Sequence, residues 1–90
     1  MLLAIDIGNT NITIGGIKDD QIVFEARIAT DRIKTSDQYG VDIKNILSLF
    51  NVEVGDIKDC IIASVVPPVF NSVRTGVIKA TGKRPMVVGP

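Results

Sequence analysis

Leu2-Leu3-Ala4-Ile5-Asp6-Ile7-Gly8-Asn9-Thr10-Asn11-Ile12-Thr13-Ile14-Gly15-Gly16-Ile17 opens the chain and decides the fold. Residues 2–5 are continuously apolar, as expected of a strand covered on both faces, and residues 12–17 form a second strand-like run. The turn between them accommodates a phosphate chain. Gly8 permits close approach of backbone to a ligand, and Asn9, Thr10 and Asn11 supply short donors. Asp6 ends a buried strand, where a carboxylate can hold a hydrated magnesium ion. A plainer reading is a tight turn that uses Gly and Asn for backbone freedom, with Asp6 capping it. Position favours the first reading, because burying a carboxylate directly after an apolar strand is costly unless it has a partner such as a metal.

Working outward, Lys18-Asp19-Asp20-Gln21 separates residues 12–17 from the alternating run Ile22 to Ile28, so these two strands are expected to form an antiparallel hairpin with one wetter face. A helix begins near Thr35-Ser36-Asp37-Gln38, where Thr35 and Gln38 have capping-box spacing and Asp37 complements the helix dipole. Its apolar stripe is Tyr39, Ile43, Ile46, Leu47 and Phe50, weakened slightly by Gly40. After a connector containing Gly55-Asp56, residues 60–63 read as a buried strand parallel to the first, since a helix precedes it. Pro67-Pro68 then starts a second helix with the stripe Val66, Phe70, Val73, Val77 and Ala80, ending near Gly82 in a left-handed cap. Met86 to Val88 is a last strand, and Gly89-Pro90 falls at its terminus, where open α/β folds put binding loops. The order is β-β-β-α-β-α-β, an α/β fold with a mixed sheet, without internal repeat or linker.

Composition narrows the function. Ninety residues make one small domain, short for an enzyme that must enclose two substrates. A hydrophobic content of 46% and a mean hydropathy of +0.32 predict exposed apolar surface if a second lobe normally covers this one. Ten basic and ten acidic residues, without a basic run, argue against nucleic-acid binding. The opening apolar stretch has no basic flank and is too short for a signal core, and no run approaches membrane-spanning length, so a cytoplasmic protein is expected. The single Cys60, beside Ile61 and Ile62, fits a buried, inert thiol. Asn11-Ile12-Thr13 matches a glycosylation acceptor, which has no meaning without a secretory route.

Other loops weigh less. Ser64-Val65-Val66-Pro67 lies where a central strand gives way to a helix, and ligand-facing amides and simple helix initiation are equally good readings. Thr30 to Thr35 reads as a solvated loop, with Arg32 or Lys34 closing over an anion or meeting a second subunit as the functional alternative. Gly82-Lys83 is followed by Arg84, so it is not a Walker loop, and Gly8 stands where an aspartyl-phosphate nucleophile at Asp6 needs a second carboxylate. No histidine exists, so general base work falls to a carboxylate, and the chain has no convincing candidate.

Asp6-Ile7-Gly8-Asn9-Thr10-Asn11, the loop Thr30 to Thr35 before Asp37, Ser64-Val65-Val66-Pro67-Pro68 and Val87-Val88-Gly89-Pro90 together resemble the type III pantothenate kinases across all 90 residues. That family belongs to the acetate and sugar kinase, heat-shock chaperone and actin superfamily. The resemblance implies a ribonuclease-H-like (actin-like ATPase) half, with residues 1–90 as an N-terminal ATP-phosphate-binding lobe, truncated so that the second lobe is absent. It implies phosphorylation of pantothenate, the first step toward coenzyme A, with ATP, magnesium and a monovalent cation, potassium or ammonium, in a homodimeric full-length protein. It places Asp6, Gly8, Asn9, Thr10, Asn11 and Thr13 at the ATP phosphates, with Asp6 on magnesium. The family's catalytic Asp lies in a Gly-Ala-Asp-Arg motif that this sequence lacks, so the 90-residue chain is expected to be inactive alone and prone to self-association. The alternatives are a regulatory protein like the Bvg accessory factors of the same family, and an actin-like scaffold.

Overall fold

A computed structural model of the chain describes residues 1–88. Gly89 and Pro90, read above as a strand terminus beside a binding loop, lie outside the described residues. The expected order is found: β1 (Leu2–Ile7), β2 (Asn11–Lys18), β3 (Gln21–Ala29), α1 (Ser36–Leu49), β4 (Asp59–Ser64), α2 (Pro67–Thr81) and β5 (Met86–Val88), with a 3-10 turn at Val54–Asp56 before β4. The five strands form one mixed sheet in the order β3-β2-β1-β4-β5. β1 pairs antiparallel with β2 and parallel with β4, β2 pairs antiparallel with β3, and β5 adds parallel to β4.

Local chemistry explains each boundary. Asp19 and Asp20 have φ of 52° and 62°, so the β2–β3 connection is a two-residue turn with both residues left-handed, which matches the twist of the strands. Aspartate tolerates this conformation less well than glycine. Asp20→Gly is therefore expected to raise stability by about 0.5–1 kcal/mol, measured as a higher urea midpoint at unchanged slope.

The capping box of α1 is formed: the Gln38 amide donates to Thr35 Oγ1 at 3.2 Å and the Thr35 amide to Gln38 Oε1 at 2.9 Å. The helix ends on Asn51, whose φ of 59° lets its amide reach the Ser48 carbonyl at 3.1 Å while the Val52 amide reaches the Leu47 carbonyl at 2.8 Å. Gly82, at φ 74°, ends α2 as the sequence implies, its amide donating to the Ile78 carbonyl at 2.8 Å.

α1 and α2 pack on the same face of the sheet. The core between the layers joins Leu3, Ile5, Ile7, Ile12, Ile14 and Ile62 to Tyr39, Ile43, Leu47, Val69, Val73 and Val77. Phe24 of β3 stacks on Phe50 at 5.0 Å between ring centroids. The helices meet at glycines: a Cβ on Gly76 would stand 2.9 Å from the Gly40 nitrogen and 3.0 Å from the Ser36 carbonyl oxygen. Gly40, read from sequence as a weak spot in α1, is thus half of a close helix contact.

One expectation fails. β1 is covered on one face only, with Leu3, Ile5 and Ile7 buried, Leu2 and Ala4 half-buried and Asp6 exposed. Both helices have their apolar stripes on the same side, and nothing among the described residues packs on the other.

Candidate functional site

β1, β3 and β4 run in one direction, so the loops after them, residues 8–10, 30–35 and 65–66, gather at one edge of the sheet. This is the edge where α/β folds bind ligands. The Val65 amide donates to the Ile7 carbonyl at 3.2 Å and the Thr30 amide to the Thr10 carbonyl at 2.9 Å, so both neighbouring loops are tied to the β1–β2 connection.

On the uncovered face, register aligns one row of residues across all five strands: Val88, Ala63, Asp6, Thr13 and Arg27. Asp6 and Thr13 are direct cross-strand partners, with Cβ atoms about 5 Å apart in such pairs. Arg27 stands one strand further, about 9.5 Å from Asp6 in strand spacing. Below this row the same face forms an open groove of about 370 Å³ with an apolar floor that includes Ala4, Gly15, Ile17 and Ile61.

The expected burial of Asp6 is therefore corrected. Its side chain is exposed on the open face, because no layer covers that side of β1, and no cation of the described residues lies within ion-pair distance. Desolvation gives it no need of a metal. What remains is a carboxylate free to bind one, beside a hydroxyl and at the foot of a loop.

That loop is tight. The Gly8 amide donates to the Asn11 carbonyl at 2.9 Å, and a Cβ on Gly8 would lie 3.0 Å from that oxygen. Glycine here closes the turn, and its own amide is spent on that bond. Asn9 and Thr10 at the tip are exposed, and their amides have no acceptor among the described residues. Asn11 is also exposed and begins β2 opposite Ala29. The structure thus brings Asp6 and Thr13 together on the face, with the two free amides just beyond the strand end.

In the other two loops several of the candidate groups are already paired. At the start of α2 the Val66 amide donates to Ser64 Oγ at 3.1 Å and the Val69 amide to the Val66 carbonyl at 3.1 Å, while Pro67 and Pro68 have no N–H. The Val65, Val66 and Val69 amides are therefore already paired within the protein. Lys34 is committed to Asp42 at 2.8 Å and lies over the Tyr39 ring, 5.4 Å from its centroid. Ile33 and Arg32 are exposed.

The hydrogen bond from Lys34 to Asp42 raises the lysine's pKa above its ordinary value of 10.5. A raised lysine pKa means that the folded state binds the proton more tightly. The contribution is complete below the unfolded pKa and is lost as pH rises through the folded one. Asp42→Asn is therefore expected to cost at most about 1 kcal/mol at pH 7, with the gap from the parent closing above about pH 10.5, as read by urea melts across pH. Cys60 is buried, and burial pushes its thiol pKa up, which keeps it protonated and unreactive as the sequence implied.

Sequence reasoning missed three residues near the site. Arg27 shares the row of Asp6, Thr30 bonds the loop, and Tyr39 donates from α1 to the Asp31 carbonyl at 2.7 Å. In the sequence Tyr39 reads only as part of the apolar stripe of α1.

A two-layer lobe with this strand order and a loop between its first two strands defines the ribonuclease-H-like half of the actin-like ATPases. A hexokinase of the ROK type from Thermus thermophilus superposes on 98% of this chain and 33% of its own, with a TM-score of 0.70 at 12% identity, which shows the shared fold. The family model for type III pantothenate kinases matches residues 2–90, and the chain belongs to that family. Relatives named type III pantothenate kinase include those of Bifidobacterium longum subsp. infantis, 50% identical over 90 residues, and Finegoldia magna, 47% identical over 88. The one from Listeria innocua is 41% identical over 90 residues. The chain is covered by 98–100% in these matches and spans only about a third of each relative, 34–35%.

Proposed function

We propose that this chain is the N-terminal, ATP-phosphate-binding lobe of a kinase that phosphorylates pantothenate. The observation that carries the proposal is the Asp6–Thr13 pair standing beside the free amides of Asn9 and Thr10, in a chain whose family is named for that activity. The regulatory alternative gains no support from the relatives, which carry the kinase name.

The residues fit a magnesium–nucleotide rather than a resident metal. No cluster of three His, Cys, Asp or Glu side chains exists among the described residues. Magnesium keeps most of its waters and takes one or two carboxylates plus phosphate oxygens, which Asp6 alone satisfies. When bound, the ion neutralises charge on the phosphates. Asp6 would hold the ion, the amides of Asn9 and Thr10 and the hydroxyls of Thr10 and Thr13 would be the donors available to phosphate oxygens, and the Gly8–Asn11 bond keeps the turn that carries them closed.

Catalysis of this kind is positioning and charge stabilisation, with a carboxylate to accept the substrate's proton. On this reading that carboxylate belongs to the Gly-Ala-Asp-Arg motif of the family, which with the second lobe, the pantothenate pocket and the monovalent-cation ligands falls in the part of the relatives that this chain does not span, and the full-length protein is a homodimer. No helix among the described residues is long and apolar enough to cross a membrane, and a cytoplasmic location accords with the proposal.

Calorimetric titration of the chain with magnesium–ATP tests the reading. Saturable binding that disappears with a chelator is expected, together with no pantothenate phosphorylation by the chain alone. Absence of binding, or turnover by the chain itself, contradicts it.

A further inference from the structure

We propose that Thr30 is the positioning residue of the phosphate loop, and that Tyr39 holds it there; the inference rests on the functional reading above. Thr30 grips the loop twice. Its hydroxyl donates to the Gly8 carbonyl at 2.8 Å and its amide to the Thr10 carbonyl at 2.9 Å, so both ends of the Gly8–Thr10 tip are fastened by the residue that follows β3.

Those two bonds turn both carbonyls toward β3, and the exposed amides of Asn9 and Thr10 are left without an acceptor. A peptide unit carries its N–H and C=O on opposite sides, so fixing the Gly8 carbonyl toward Thr30 points the Asn9 amide the other way. Thr30 thereby sets the direction of a donor without touching the ligand.

Thr30 is itself anchored. The next residue, Asp31, exchanges two hydrogen bonds with the fully buried Tyr39: the Tyr39 hydroxyl donates to the Asp31 carbonyl at 2.7 Å, and the Asp31 amide donates to the Tyr39 oxygen at 3.0 Å. Asp31 Oδ1 also accepts from the Ile33 amide at 2.9 Å, which closes the following turn. Tyr39 sits in the α1–sheet core, so the rigid layer of the fold reaches the loop tip through one side chain and one backbone step. A loop pre-set in this way binds polyphosphate without the entropy cost of ordering itself.

The test uses the 90-residue chain, with magnesium–ATP and magnesium tripolyphosphate as probes in calorimetry and thermal melts on every variant. Thr30→Val, which keeps the shape and removes the hydroxyl, is expected to weaken both probes about tenfold, and Thr30→Ser, which keeps the hydroxyl, to restore affinity to within about twofold. Tyr39→Phe is expected to fall between them. A folded Thr30→Val chain with parental affinity, or a Thr30→Ser chain as weak as the valine variant, overturns the inference while leaving the phosphate site in place. A parent chain that binds neither probe overturns the functional reading and the inference with it. If Thr30→Val does not fold, amide hydrogen exchange of the parent decides: slow exchange at Thr30, whose amide forms the backbone half of the clasp, supports it, and exchange as fast as in an open loop overturns it.

Discussion

Asp6→Asn is expected to weaken magnesium–ATP binding by roughly 10- to 150-fold, the range for losing a hydrogen-bonding interaction with a charged group, about 1.5–3 kcal/mol. The side chain is exposed and makes no ion pair among the described residues, so stability should change by less than about 0.5 kcal/mol. This separation is the point of the experiment. A carboxylate that merely caps the turn would show the reverse, with lost stability and retained affinity. In the presence of a chelator neither parent nor variant should bind ATP measurably, so the difference between them should vanish with the metal. Calorimetry with and without magnesium, beside urea melts, reads both quantities.

Gly76→Val is expected to destabilise the lobe by about 3 kcal/mol, at the upper end for overpacking, and to lower Tm by about 12–24 °C for a domain of this size. Alanine in place of glycine gains up to about 1 kcal/mol of helix propensity, yet even its single methyl would meet the Gly40 nitrogen at 2.9 Å and the Ser36 oxygen at 3.0 Å. These are backbone atoms of α1, which cannot rotate away, so the helices must separate. Valine adds two more carbons and loses the propensity gain through its branched side chain. Gly55→Ala is the control: a Cβ there meets nothing within 4 Å, so the substitution should be neutral within about 0.5 kcal/mol. Equal melting of Gly76→Val and the parent would mean that α1 and α2 do not approach through this glycine pair.

Strand and helix order was legible in the sequence because each element carries its own local signal. The capping box at Thr35 and Gln38, the prolines opening α2 and Gly82 closing it all act within a few residues. The burial of β1 was misread because a fully apolar strand and a strand with one open apolar face have the same composition. Leu2 and Ala4 are apolar, but no helix among the described residues packs over them.

The site was legible in part. Asp6 and Thr13 of the candidate site are readable from the loop pattern, while Arg27 is hidden by a register shift. Counted from the Asp19–Asp20 turn, a regular hairpin pairs Thr13 with Ala26, and the irregularity between Gly16 and Ile17 moves that partner to Arg27. One residue of slip exchanges the faces of β3, sending Phe24 into the core and Arg27 to the open side. Thr30 and Tyr39 were missed for another reason. Their bonds to residues 8 and 31 are tertiary contacts of side chains, and no spacing in the sequence encodes them.

The most direct test of the central claim is a chimaera in which this chain replaces the corresponding third of the Bifidobacterium longum subsp. infantis relative, followed by an assay of ATP-dependent pantothenate phosphorylation. The account predicts turnover by the chimaera and its loss, at unchanged melting temperature, in the chimaera carrying Asp6→Asn. A folded chimaera without activity, or one whose activity is indifferent to Asp6→Asn, would contradict it.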